Sequence, residues 1–158
     1  MEGVGGNSTV ASYEGESLQS IPGQHWEFIE GGLPFHESES HFFVHANAAS
    51  HIALEDQDPF MLFWEKFRKV PAHRSGKIMV CGHTAQKNGV PANLGHAICI
   101  DTWAYGGQWL TALDVESGAI YLLVGTFARP WRATCPHVDY PQVAEILIAI
   151  TISAKTWH

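Results

Sequence analysis

The stretch KIMVCGHTAQ, residues 77–86, decides how the chain is read. An apolar run, Ile78-Met79-Val80-Cys81, stops at Gly82, His83 and Thr84. Four apolar residues without polar alternation, ended by a glycine, read as a strand buried on both faces. A second run has the same form, because in HFFVHAN (41–47) Phe42-Phe43-Val44 gives way to His45. Taken singly, each histidine reads as an ordinary side chain satisfied by hydrogen bonds. Taken together, they predict that Val44 and Cys81 lie in neighbouring buried strands. His45 and His83 would then stand side by side at the carboxyl ends, where α/β sheets hold their ligands.

Working outward, PGQHWEFIEGG (22–32) has a proline at a helix start and a glycine pair at its end. Trp26, Ile29 and Leu33 are its expected inward residues. PFHES and HFFVHA read as two strands of a hairpin joined at Glu39-Ser40, and residues 47–58 as loop. PFMLFWEKFRKV (59–70) predicts a helix with Phe60, Phe63, Trp64 and Phe67 on one face. Strands follow at 77–83, 96–102, 109–117 and 119–125, the last two joined by the turn signal Ser117-Gly118. Early helices and late strands indicate a mixed α/β domain over residues 1–125. Residues 126–158, with TFARPWRATCPHVDYPQ and then VAEILIAITI, form a divergent tail of unassigned structure.

Composition narrows the function classes. Of 158 residues 46% are apolar and 16% charged, which is a globular balance. A net charge of -7 argues against a nucleic-acid surface, and no cluster of Lys or Arg offsets it. The longest apolar run is too short to span a bilayer and contains Glu145. MEGVGGNSTVAS lacks the basic and apolar regions of a signal peptide. Three cysteines without C-x-x-C spacing suggest no disulfide framework, so a soluble cytoplasmic protein is expected. Ten histidines against nine Lys plus Arg favour metal chemistry without locating it.

The segments HFFVHANAASHIALEDQDPFMLFWEKF (41–67) and SGKIMVCGHTAQKNGVPANLGHAICIDTWAYGGQWLTALDVESG (75–118) resemble the carboxyl-terminal half of the PPP-type, calcineurin-like metallophosphatases. The similarity is greatest to their bacterial serine/threonine protein phosphatase branch, and it runs from about Gly5 to Gly118. Its most specific parts are the VHA and GHT strand ends, with IDTWAYGGQWLT behind them. The resemblance implies the second half of a metallophosphatase-type β-sandwich flanked by helices, with a mixed sheet. It also implies a divalent metal pair (Mn, Fe or Zn), with His45 and His83 as ligands of the second ion. Lys66 and Arg68 fall near the family's phosphate-gripping arginine, and Tyr105 falls near its phosphate pocket. A lysine attracts phosphate as a point charge but lacks the bidentate fork of arginine.

The family's three earlier motifs, GD-x-HG, GD-x-x-DRG and GNH[DE], are absent from these residues. They supply the other metal ligands and the catalytic histidine, so the isolated chain is expected to be inactive. Substitute ligands are sought at His51, Asp56, Asp58 and His96. The expected activity is phosphomonoester hydrolysis on a phosphoprotein substrate once the chain is complemented. The alternative is a pseudophosphatase remnant or protein-binding module, and a third option is a small zinc protein using Cys81, His83 and Cys135. A half-domain is also expected to leave an apolar face around Ile78, Val80, Ile98 and Ile100 exposed, and so to self-associate.

Overall fold

The computed structural model describes residues 10–13 and 17–124. They fall into two compact units, one ending at Pro34 and one beginning at Phe35. The tail expected over residues 126–158, with Cys135, lies outside the described residues.

The first unit holds a 3-10 turn, Leu18–Ser20, and helix α1, Gly23–Glu30. Pro22 precedes the helix, and the N–H of Gly31 closes its last turn on the Glu27 carbonyl at 2.9 Å. Of the residues expected to face inward, Trp26 is half-buried, whereas Ile29 is 49% and Leu33 75% exposed. Tyr13 and His25 steady the unit through a 2.8 Å contact between the hydroxyl and Nδ1.

The second unit is a five-stranded sheet in the order β1-β2-β3-β5-β4, accompanied by the hairpin β6-β7. The strands are β1 Phe35–Glu37, β2 His41–Val44, β3 Ile78–Cys81, β4 Ala92–Asn93, β5 Ala97–Cys99, β6 Trp109–Leu113 and β7 Ile120–Val124. The central trio β2-β3-β5 is parallel, and β1 and β4 close its two sides antiparallel. The result is a mixed α/β fold with a mixed sheet. The hairpin expected at Glu39-Ser40 is β1-β2, and the one expected at Ser117-Gly118 is β6-β7. No helix among the described residues is long and apolar enough to cross a membrane.

The apolar runs are buried on both sheet faces, as their lack of alternation requires. Phe42, Val44, Met79, Cys81, Ala97 and Cys99 pack on one face against Leu54, Leu62 and Phe67. Phe43, Val80, Ile100 and Leu113 pack on the other. Val80 and Ile100 are each 1% exposed, and Ile78 and Ile98 are half-buried. Of the four residues around which a bare apolar face is expected, Val80 and Ile100 are covered, whereas Ile78 and Ile98 keep part of their surface exposed.

The helix expected over 59–70 is corrected. Asp58 caps helix α2, Pro59–Phe63, by accepting the Phe60 N–H at 2.7 Å. Trp64 leaves helical geometry at φ -132°, with its own N–H and that of Glu65 both turned to the Phe60 carbonyl. The following residues are drawn instead to the loop after β3, where the Phe67 N–H donates to Thr84 Oγ1 at 2.8 Å. A tertiary contact overrides a helical period here. Phe67 is buried by it, while Phe60 and Phe63 stay 58% and 38% exposed.

The glycine pair in WAYGG has a packing cause. A Cβ on Gly106 would fall inside the Trp103 indole, and Gly107 sits at φ +92°. Gly106→Ala should lower stability by ~1–2 kcal/mol through overpacking. Equilibrium urea unfolding reads this directly, and an unchanged midpoint would refute it.

Candidate metal and phosphate site

β2 and β3 run parallel with Phe43 opposite Val80, so Val44 lies opposite Cys81 and His45 opposite Gly82. Past the strand ends, the Gly82 N–H donates to the His45 carbonyl at 2.9 Å and holds the two chains together. Regular alternation would send His83 to the face opposite His45, because successive side chains point to opposite sides. Instead His83 adopts a left-handed conformation, φ +59°. The ring turns back, and His45 Nε2 lies 3.1 Å from His83 Nδ1. The ring centroids are 5.0 Å apart and inclined by 65°. The expected meeting of the two histidines at one sheet end is what the fold contains. The left-handed turn falls on the histidine itself and not on the glycine before it.

A non-glycine residue in this region stores strain, which other contacts must hold in place. The comparison of His83→Gly with His83→Ala isolates that strain, since both lose the imidazole. The glycine variant should be more stable than the alanine variant by about 1 kcal/mol. Equal thermal unfolding of the two would refute it.

The rest of the second histidine is anchored. His83 Nε2 lies 3.1 Å from the Trp64 carbonyl, so that nitrogen carries the proton and donates. Nδ1 is then left with a lone pair, which accepts from His45 Nε2–H. The indole of Trp64 stands edge-on to the ring at 6.1 Å. Metal-ligating histidines likewise have one nitrogen held by a carbonyl and a lone pair on the other.

Electrostatics keep both rings neutral. Burial, and then repulsion from His83, push the His45 pKa down to about 4. His83 is lowered by burial and by the Lys66 charge, against the opposing pull of the Trp64 carbonyl and Asp101. Neutral imidazoles are the metal-binding form.

Asp101, just beyond the end of β5, is the member that sequence reasoning passed over. It is 5% exposed, and its Oδ1 accepts the Trp103 N–H at 3.0 Å. Its Oδ2 is buried without a partner among the described residues. Burial raises its pKa, partly offset by the Trp103 N–H, His83 and Lys66. An orphaned buried carboxylate oxygen is costly and calls for an explanation. The signal was present in the sequence, because Asp101 directly follows the apolar run of the third parallel strand.

These groups fit part of a metal site and fall short of a whole one. Two nitrogens ~2.0–2.1 Å from a tetrahedral zinc stand ~3.3–3.4 Å apart, close to the observed contact. Coordination would require His45 to give up its Nε2 proton and carry it on Nδ1. Catalytic zinc sites use about three protein ligands, and no cluster of three donors exists among the described residues. No hydrolytic step is therefore derived through a metal held by these residues.

The other candidates lie elsewhere or do other work. Asp58 caps α2, Asp56 is exposed on the turn Leu54–Asp56, and His96 Nε2 contacts the Val70 carbonyl at 2.7 Å. Cys81 pairs with Cys99 across β3 and β5, and the Cys99 thiol donates to the Gly82 carbonyl at 3.3 Å. Tyr105 is 46% exposed on the turn Ala104–Gly106, edge-on to Trp103 at 6.2 Å.

Lys66 and Arg68 lie two and four residues beyond Trp64, on the wall of a cleft of about 550 Å³. His51 lines the same cleft. Asn47 joins its two limbs by donating from Nδ2 to the Lys66 carbonyl at 3.0 Å. No protein-family model matches the chain, and no curated protein matches it either.

Proposed function

We propose that the chain supplies the second half of a metallophosphatase-type site that acts on phosphorylated protein. His45 and His83 are two of its metal ligands, with Lys66 and Arg68 beside them as phosphate-attracting cations. One observation carries the reading: two neutral imidazoles, delivered by adjacent parallel strands, meet at 3.1 Å with the outer nitrogen of one held by a backbone carbonyl. Strand-end placement, the tautomer of His83 and neutral charge support coordination. The remaining ligands come from the family's first-half motifs, which these 158 residues do not contain. When bound, the divalent metal pair supplies Lewis acidity and a metal-activated water. This chain's own residues orient and hold charge. Tyr105 borders the phosphate only if its turn folds toward the completed site.

A second reading, a pseudophosphatase that binds phosphoprotein without hydrolysing it, is favoured by the shortage of donors among the described residues. Metal titration followed by histidine NMR separates the two. The half-site reading expects weak Mn²⁺ or Zn²⁺ binding that selectively perturbs His45 and His83. A complementing chain that carries the first-half motifs should tighten that binding. Rings that never respond to metal, with or without the complement, would leave the pseudophosphatase reading. One tightly held ion that survives both His→Ala substitutions would refute the site altogether.

A further inference from the structure

We propose that the cleft between residues 47–51 and 61–71 binds the acidic flank of a phosphorylated peptide, which extends the phosphatase-type reading to a substrate class. Lys66, Arg68 and Lys69 all line it, so three of the chain's nine Lys and Arg residues converge on one cleft of about 550 Å³. This concentration stands out on a protein of net charge -7. All three side chains are exposed, and none is engaged in an ion pair among the described residues, where the single salt bridge is Lys77 with Glu37. Unpaired cations that share a concave wall favour an anionic ligand and speed its encounter.

Both limbs of the cleft run on in sequence to the segments that hold the histidine pair. Asn47 follows His45 by two residues, and Lys66 follows Trp64, whose carbonyl holds His83, by two. On this reading, a peptide with its phosphate at the histidines lays its neighbouring residues along the segment that carries Arg68 and Lys69. His51 extends the wall, and the Arg74 guanidinium lies behind it, donating to the His51 carbonyl at 3.4 Å.

Two features select a short acidic peptide over a nucleic acid. The lining contains no Phe, Tyr or Trp on which bases would stack. It also contains the Glu65 carboxylate, and the surrounding chain is acidic, so a long uniform polyanion is repelled on either side. A segment with a few carboxylates can seat them on the three cations and avoid Glu65.

The test uses the full chain with labelled peptides and fluorescence anisotropy. In chelator, without metal, an Asp/Glu-rich peptide should bind, and its affinity should fall as salt rises. A peptide with neutral residues in place of the acidic ones should bind at least tenfold more weakly. Arg68→Ala/Lys69→Ala, two exposed changes, should cost the acidic peptide about tenfold, or about 1.4 kcal/mol. Equal binding of acidic and neutral peptides would overturn the proposal. So would undiminished binding by the double variant, or equal binding of a short DNA duplex. A separate arm adds metal and a phosphopeptide. A metal-dependent gain lost in His45→Ala supports the phosphatase-type reading, and its absence counts against that reading while leaving the cleft to the metal-free result.

Discussion

Supplied with manganese or zinc, the purified chain should hydrolyse a chromogenic aryl phosphate no faster than the buffer does. Phosphomonoester cleavage by paired metals needs an activated nucleophile, neutralisation of the developing charge and a proton for the leaving oxygen. Against that requirement, the described residues bring two imidazole nitrogens in contact, a nearby buried carboxylate, and cations on an open wall. No three donors stand together among them, so nothing there fixes a bridging hydroxide in line with phosphorus. Each ~1.4 kcal/mol of lost transition-state stabilisation is tenfold in rate, and the absence of a second ion and an acid together removes several such factors. The informative controls are His45→Ala and His83→Ala. Metal-dependent turnover by the parent that both substitutions abolish would mean that replacement ligands complete the site. Turnover restored by a second chain with the first-half motifs, and lost in either variant, is the outcome the half-site reading expects.

The histidine pair was legible in the sequence because it rests on two buried parallel strands. Apolar runs such as Ile78-Met79-Val80-Cys81 have few other destinations, and a parallel pair aligns its carboxyl ends. The conformation of His83 was not legible. A glycine stands at 82, and the natural inference gives the left-handed residue to the side chain that costs least there. That the histidine takes it instead depends on the Trp64 carbonyl, supplied by a segment 19 residues earlier. The same segment defeated the helical reading of 59–70. Its aromatic spacing suits a helix, yet Trp64 and Phe67 are worth more when they reach His83 and Thr84 than when they continue one. Asp101 escaped notice because a carboxylate after a strand is ordinarily solvated. Only burial of its Oδ2 distinguishes it, and burial is a property of the assembled sheet.

The histidine site should also make the fold acid-sensitive over a defined range. His45 has an ordinary pKa of 6.5 when unfolded and about 4 in the folded chain. The folded state therefore binds fewer protons than the unfolded one between those values. Its contribution to stability is complete above pH 6.5 and is lost as pH falls from 6.5 toward 4. The shift corresponds to ~3 kcal/mol, and because the ring is only partly buried, screening by water reduces the loss to ~2 kcal/mol. His83 is lowered too, by burial and by Lys66, and His41 by burial, so both add in the same direction. Asp101 works the other way. Its folded pKa is raised above 3.8, so protonation favours the native state as pH falls. His45→Gln removes the ionisable ring while retaining a polar amide. Between pH 6.5 and 4 the parent chain should lose ~2 kcal/mol more unfolding free energy than this variant, as read by urea denaturation at each pH. Asp101→Asn should steepen the parent's acid loss, because it deletes an opposing group. Superimposable pH profiles for the parent and His45→Gln would show that the ring at 45 is solvated in the folded chain, and the neutral, contact-held imidazole pair would not then describe the site.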